Sequence, residues 1–370
     1  MTNKLRWLIL LQMERVGLNN LASKEKEFLE SDVRQMARDY AELIGLNYDL
    51  DVAPFTGDEK FWNVDYIKGK DWGLSTMDAY RCLVDTHRTV QIMGGIRETV
   101  NTLKKNGARN IRAIDAGTGT GIFAIYLASL GVDKVYALEL NEETAEVAEK
   151  FIHAQGFSKK IELIVGDATK IEIPELREKH ADILVSENLS AGLLSEPQFQ
   201  IIGNLSRFMS DASAIIPYSA DLSLSLGNGN WNEVDWYGRE PTAVVAAKRL
   251  PSSAESTSKQ RYASVQSVKG MNVPRMLAGM KFVTDTETPI NTLFVTTAFQ
   301  INSLGDVYKL ESDSANYLGK TIAIKLPHEA YPEDKQVDVE LEYDAGFSIK
   351  RNPDSLKVDR NKITFKGILK

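Results

Sequence analysis

The stretch that most limits how this chain can fold is Ile111 to Asn141, IRAIDAGTGTGIFAIYLASLGVDKVYALELN. An apolar strand-like run, Ile111–Ile114, ends at Asp115, and Gly117, Gly119 and Gly121 follow at alternate positions. Apolar residues at helical spacing come next (Ile122, Phe123, Ile125, Tyr126, Leu127, Leu130), closed by Gly131. A second strand, Lys134–Leu138, then ends at Glu139. Strand, glycine-rich turn, helix and strand in this order predict a βαβ unit, and hence an α/β fold.

Glycine has no Cβ, so the turn can take left-handed backbone angles and let a ligand lie against the main chain. An acid at the second strand tip can accept hydrogen bonds from both hydroxyls of a ribose, beyond the carboxyl ends of the strands where ligands of such sheets sit. The unit therefore reads as a nucleoside site. The dinucleotide fingerprint G-x-G-x-x-G fails because position 122 is Ile, and a phosphate-cradling loop fails because no Lys follows Gly121.

Composition narrows the classes. At 370 residues the chain is too long for one average domain, and its 43% hydrophobic and 26% charged residues suit a soluble globular protein. A net charge of −7 argues against a nucleic-acid binder, which carries a basic face, and suits a cationic substrate. Cys82 is the only cysteine, so no intramolecular disulfide forms, and four scattered His make no structural zinc pattern. No apolar run reaches membrane-spanning length. Leu5–Leu11 runs into Met13, Glu14 and Arg15 without a small-residue cleavage site, and reads as an amphipathic helix rather than a signal peptide. A cytoplasmic protein without metal, membrane or nucleic-acid partner is the expectation.

Taken in order, residues 1–60 read as an N-terminal helical segment, with one helix over Leu5–Val16 and a second from Ser23 to about Ile44, stopped by Gly45. Residues 61–76 are aromatic and irregular (Phe61, Trp62, Tyr66, Trp72). One long helix is expected from Met77 to about Asn106, capped by Ser75 or Thr76, on which Asp85 and Arg88 at i, i+3 can share a face; the bland reading of that pair is a surface salt bridge of little consequence. After the βαβ unit come a helix over Glu142–Gln155, a strand Ile161–Val165 ending Gly166-Asp167-Ala168, and a fourth strand Ala181–Val185 ending Ser186-Glu187. From Ile216 the pattern alternates: strands are expected at Ala220–Leu226, Asn291–Ile301, Thr321–Leu326, Val337–Tyr343 and Lys362–Lys366, with exposed loops at Asn228–Asn232 and Pro251–Lys259. The expected domains are residues 61–215, a Rossmann-like unit, and 216–370, a β-rich, barrel-like unit.

Glu187 and Glu196 flank the segment NLSAGLLS, and a tight loop there would aim both carboxylates into one cavity. Two ionised carboxylates side by side need a cation between them, and a planar guanidinium matches them in two-point contact. The bland reading of Glu196 is a first-turn acid in a helix start, with Ser195 as cap and Gln198 closing a capping box. Glu187, at a strand tip, has no such explanation.

The glycine turn with Asp115, Gly117, Gly119, Gly121 and Glu139 resembles motif I of the class I S-adenosylmethionine (SAM) methyltransferases. SENLSAGLLSEP is similar to the double-glutamate loop of the protein arginine methyltransferase family, and CLVDTHRTV resembles that family's segment ahead of motif I. The resemblance implies that Glu187 and Glu196 grip a substrate guanidinium and that Arg88 binds the SAM carboxylate, with Asp85 as its companion acid. It further implies that Glu139 binds the ribose, that Asp167 and Ala168 lie at the adenine, and that Ile216-Pro217 crosses into a β-barrel domain. A homodimer is the family's usual assembly. The chain departs from the family in lacking a T-H-W motif: His328 is its only histidine after Ile216. It also departs in the loop, where bulky residues give way to Asn188-Leu189-Ser190-Ala191. These departures extend the expected acceptors from protein arginine to free arginine, arginine in a peptide and small guanidines.

Three rival readings stand beside this one. A methyltransferase of a non-guanidino small molecule would keep every cofactor residue and make Glu196 a helix cap. A base-modifying enzyme would place an N-P-P-Y-like motif at the fourth strand tip, where this chain has Ser186-Glu187-Asn188-Leu189. A non-catalytic scaffold would bind SAM without turnover.

Overall fold

The structure is a computed structural model and describes residues 21–53, 74–193, 196–234, 244–246, 250–272, 274–283, 290–311, 321–330, 336–345, 349–352, 355–358 and 364–368. The expected helix over Leu5–Val16, the aromatic positions Phe61, Trp62, Tyr66 and Trp72, and the Ser195 cap lie outside these residues.

The first half is a parallel sheet with helices packed on it. In chain order come α1 (Leu21–Leu43), α2 (Thr76–Val84), α3 (Thr86–Lys105), β1 (Arg112–Ala116), α4 (Ile122–Ser129) and β2 (Lys134–Glu139). Next are α5 (Glu142–Ala154), β3 (Ile161–Val165), β4 (Ala181–Ser186), α6 (Gln198–Leu205) and β5 (Met209–Ile216). The five strands pair in the order β3-β2-β1-β4-β5, all parallel. The chain runs outward from β1 to β3 and then returns to the other side through β4. That reversal opens a crevice at the carboxyl ends of β1 and β4, where ligands of open α/β sheets bind.

Helix α1 follows the expected helix closely and stops where Gly45 takes a φ of +77°. Its buried Val33, Met36, Ala37, Tyr40 and Ala41 recur at three and four and face α2, α3 and α5. Tyr40 stacks on Tyr80 of α2 at 5.9 Å and meets the edge of Phe151 of α5 at 5.3 Å. The N-terminal helix is thus part of the core around the first βαβ unit.

The single long helix expected over 77–106 is two helices. Ser75 caps α2 in a reciprocal capping box with Asp78. At Asp85, ψ swings to 74°, and its side chain accepts from the Arg88 backbone N–H, so Asp85 ends α2 and caps α3. Apolar spacing carries on across the junction, which is why periodicity alone does not reveal it. An aspartate followed by Thr-His-Arg is a local cap signal that outweighs the period.

The second half is antiparallel: β6 (Ser219–Asn228), β7 (Val244–Ala246), β8 (Ala254–Glu255), β9 (Gln260–Gln266), β10 (Arg275–Val283), β11 (Ile290–Gln300), β12 (Lys309–Glu311), β13 (Ile322–Ala330), β14 (Gln336–Asp344), β15 (Ile349–Asn352), β16 (Ser355–Val358) and β17 (Thr364–Ile368). One sheet runs β7-β13-β11-β6-β8, with β9 also on β6, and a second runs β10-β14-β17. In β6, Ala220, Leu222, Leu224 and Leu226 alternate inward and are all buried. The expected strands appear as β6, β11, β13, β14 and β17. Strands β5 and β9 are among those missing from the sequence expectation, because part or all of each is solvated and polar, as in Ser210-Asp211 and Gln260-Arg261. Asn228–Asn232, expected as an exposed loop, instead leads into a short helical turn that buries Trp231, whose Nε1 donates to Thr292 Oγ1 at 2.9 Å.

The β-rich half docks on α3 through two glycines. A Cβ at Gly94 would run into the Tyr308 ring, and one at Gly95 would lie 2.5 Å from Ile301 Cγ2.

Candidate active site

The glycine turn between β1 and α4 carries left-handed angles at each alternate glycine: φ is +73° at Gly117, +54° at Gly119 and +84° at Gly121. The Gly117 and Thr118 N–H groups donate to the Leu138 carbonyl at 2.9 and 2.8 Å, tying the turn to β2. Asp115, 1% exposed, lies under the turn; its Oδ2 accepts from Thr118 Oγ1 at 2.6 Å and from the Ala124 N–H at 3.0 Å. Burial pushes its carboxyl up to about 6 against the pull of those two hydrogen bonds. Asp115 and Gly121 therefore shape the turn from beneath and do not line the cleft, whereas Gly117 and Gly119 do.

Glu139 is held from both sides. Its Oε2 accepts from the Gly119 N–H and its Oε1 from the Asn141 N–H, each at 2.9 Å. Both oxygens are fixed at the strand tip, and each carboxylate oxygen has a second acceptor lone pair. A carboxylate held in this way can accept from the two hydroxyls of a vicinal diol. Asp167, at the tip of β3, accepts from the Thr169 N–H and hydroxyl and pairs with Lys170 at 3.1 Å. Burial opposes ionisation there, but the Thr169 bonds and Lys170 hold its carboxyl below the ordinary value. Asp167 and Ala168 line the same cleft.

The α2–α3 junction places Arg88. As a last-turn carbonyl of α2, Cys82 C=O is open to side-chain donors, and it accepts from Arg88 Nη1 at 3.1 Å and Thr89 Oγ1 at 3.2 Å. The Arg88 Nε donates to Glu187 Oε1 at 2.9 Å, and Nη2 pairs with Glu187 Oε2. This is a two-point guanidinium–carboxylate contact with the side chains only 2% and 10% exposed. The bland reading of Arg88 and Asp85 as a surface salt bridge does not hold: Asp85 takes the Arg88 backbone N–H, and the guanidinium turns inward to Glu187. Cys82 sits on the cleft wall, and burial pushes its thiol up to about 11.

After β4, the loop turns through two successive left-handed residues, Gly192 (φ +66°) and Leu193 (φ +56°), and returns to Glu196, whose N–H donates to Ser190 Oγ at 3.3 Å. Helix α6 begins at Gln198, and Pro197 before it supplies no side-chain cap. Glu196 therefore precedes the helix and lines the cleft together with Glu187 and Arg88. The cleft spans about 1040 Å³ of space not filled by atoms, part of it open solvent. It brings together Arg88, Gly117, Gly119, Glu139, Asp167, Ala168, Glu187 and Glu196, and leaves Asp85, Asp115 and Gly121 outside its walls.

Sequence reasoning missed Asn188. Its amide donates to the Ala116 carbonyl at 2.9 Å and to Ser186 Oγ at 3.3 Å, and its Oδ1 lies where a Cβ on Gly117 would fall. The side chain bridges the glycine turn and the loop of the two glutamates, and its packing adds to the positive φ that favours Gly at 117. The signal was its position next to Glu187 at a strand tip. Among the described residues no cluster could hold a metal ion, and no helix is long and apolar enough to cross a membrane.

Residues 113–211 match a family described as a methyltransferase domain. Among curated proteins, the chain is similar to protein arginine N-methyltransferase 7 of Drosophila sechellia (34% identity over 114 residues, 31% of this chain and 16% of that one). It is also similar to that enzyme in Gallus gallus (28% over 159 residues, 41% and 23%) and Mus musculus (32% over 116 residues, 31% and 17%). The matched part thus spans under a quarter of these relatives' length. Among solved structures, the fold is similar to Arabidopsis thaliana protein arginine methyltransferase 10 (TM-score 0.55, 15% identity, 69% of this chain and 84% of that one). It is likewise similar to the Trypanosoma brucei PRMT1 enzyme-prozyme heterotetrameric complex with AdoHcy (TM-score 0.57, 12% identity, 77% and 95%). Glycine turn, strand-tip acid, reversal of strand order and the matched domain lead to one conclusion: the chain is built as a class I methyltransferase and resembles the protein arginine methyltransferases.

Proposed function

We propose that the protein transfers a methyl group from S-adenosylmethionine to a guanidino nitrogen of arginine, free or in a peptide or protein, or of a related small guanidine. The observation that carries this reading is the company Glu187 keeps. Its carboxylate holds a guanidinium, that of Arg88, in two-point contact, and Glu196 lines the same cleft. The cofactor fits the residues present: Glu139 for the ribose hydroxyls, Arg88 for the amino-acid carboxylate, Asp167 for the adenine amine, with Gly117 and Gly119 allowing close approach.

The cofactor supplies an activated methyl on a sulfonium, so the protein's task is in-line placement of the acceptor. A guanidinium, with a pKa above about 12, is a poor nucleophile. Glu187 and Glu196 orient it and hold positive charge on the nitrogen that does not react, and they stabilise the cation as the product forms. Arg88 balances the charge of Glu187 beside Glu196. In this reading 61–215 bind the cofactor, 216–370 complete the acceptor side, and the chain works as a homodimer.

The test is a methyl-transfer assay with labelled SAM, free L-arginine, arginine peptides and a panel of non-guanidino amines, alcohols and acids. Label on a guanidine compound is the expected result. Label only on an acceptor without a guanidine would replace this reading by small-molecule methylation of another kind.

A further inference from the structure

The two glutamates sit on a loop whose turn is held from outside as well as by its own hydrogen bonds. Leu193 is a branched, non-glycine residue in the left-handed region, directly after Gly192 in the same region. Such a conformation persists only where the surroundings impose it. They do so from the β-rich half. The Gly192 N–H donates to Thr297 Oγ1 of β11 at 2.7 Å, and the Gly192 carbonyl accepts from Tyr343 Oη of β14 at 2.7 Å. Tyr343 Oη in turn lies 2.6 Å from Tyr262 Oη of β9. With its proton on the Gly192 carbonyl, Tyr343 accepts from Tyr262. Tyr343 is 2% exposed, and burial raises both phenols well above their ordinary range, so both hydroxyls stay protonated. Inside the loop, the Leu193 N–H donates to the Ser190 carbonyl, and Ser190 Oγ takes the Glu196 N–H. Hydrogen bonds and the intervening backbone thus link three strands of the β-rich half, β11, β14 and β9, to the backbone of Glu196.

We propose that Thr297 and Tyr343, backed by Tyr262, are positioning residues: they clamp Gly192 from both sides of its backbone and so set where the Glu196 carboxylate stands relative to Glu187. This inference rests on the double-glutamate reading above. It makes the β-rich half part of the catalytic geometry although none of the three side chains lines the cleft.

The test uses the full chain with S-adenosylhomocysteine bound, as wild type, Thr297→Val, Thr297→Ser, Tyr343→Phe and Tyr262→Phe. Amide hydrogen exchange is read over 187–196 and, as control, over 111–141. The clamp predicts exchange in 187–196 about tenfold faster in Thr297→Val and Tyr343→Phe, a smaller change in Tyr262→Phe, and near wild-type exchange in Thr297→Ser, which keeps the hydroxyl. Exchange over 111–141 and the affinity for S-adenosylhomocysteine stay within about twofold of wild type. With a guanidine acceptor, kcat falls about tenfold or more in Thr297→Val and Tyr343→Phe while KM for SAM holds, and Thr297→Ser restores it. Unchanged exchange in 187–196, equal acceleration over 111–141, or wild-type kcat in both variants would overturn the clamp. If wild type methylates no guanidine at all, the substrate reading fails, and the exchange measurement alone decides the clamp.

Discussion

Asp115 shows how a single buried side chain leaves a mark on the whole molecule's response to pH. Its carboxyl is raised from 3.8 to about 6 by burial, with hydrogen bonds from Thr118 and Ala124 pulling the other way. A raised folded-state value means that the native chain binds this proton more tightly than the unfolded chain. Between pH 4 and 6 the native state carries the extra proton, so stability falls as pH rises through that window and levels off above it. The difference amounts to at most about 3 kcal/mol. Denaturant unfolding of wild type and Asp115→Asn at several pH values checks this: the gap between them should shift in favour of the variant from pH 4 to 6.5, and parallel curves would contradict it. At this scale the sequence was a good guide to which residue types matter and a poor one to where each points. Glu139, Arg88, Glu187 and Glu196 were legible because motif spacing ties them to strand tips and a helix. Asp115 was legible as a strand-end acid, but nothing in its neighbours told that it faces the turn's underside. The inward swing of Arg88 to Glu187 joins residues 99 apart in sequence, and no local pattern encodes such a contact.

Among the elements, the break between α2 and α3 has the most consequence, because it frees the Cys82 carbonyl for Arg88 and aims the guanidinium into the cleft. Asp85 makes the break by accepting from the Arg88 N–H at 3.3 Å. Asp85→Ala should cost about 1–2 kcal/mol and weaken SAM binding, whereas Asp85→Asn, which keeps a capping oxygen, should stay within about 0.5 kcal/mol of wild type. Thermal unfolding with and without S-adenosylhomocysteine separates the two effects; equal loss in Ala and Asn variants would show that capping is not the role of this side chain. Four of the five parallel strands, β1 to β4, were readable because they are near-continuous apolar runs, as in Ile183-Leu184-Val185, whereas β5 starts with a polar, solvated stretch and was not. Strands such as β9, with one solvated face and few apolar residues, carry no comparable signal.

Across the molecule, the two halves meet at α3 and at the loop of the glutamates. The Gly94-Gly95 pair lets the segment of Ile301 and Tyr308 approach the helix backbone, and Arg97 Nη2 donates to Tyr308 Oη at 2.8 Å beside it. Gly95→Ala would gain helix propensity yet force its methyl against Ile301, so a net destabilisation of about 1–3 kcal/mol is expected. Equilibrium unfolding reads this directly, and a variant more stable than wild type would show that the halves yield at this contact. The sequence marked the change of texture near Ile216, but not this docking, because a glycine pair inside a helix reads only as a weak spot until its neighbour is known.

The central claim is that Glu187 and Glu196 act together on a guanidinium next to the bound methyl donor. The measurement that tests it most directly is methyl transfer to an arginine acceptor by wild type, Glu187→Gln and Glu196→Gln, with calorimetric binding of S-adenosylhomocysteine alongside. Both variants should lose at least about a hundredfold in kcat/KM, a cost in line with removing a charge-stabilising group, while Glu196→Gln binds S-adenosylhomocysteine as wild type does. Full activity in Glu196→Gln would contradict the account and leave that residue a loop acid ahead of α6.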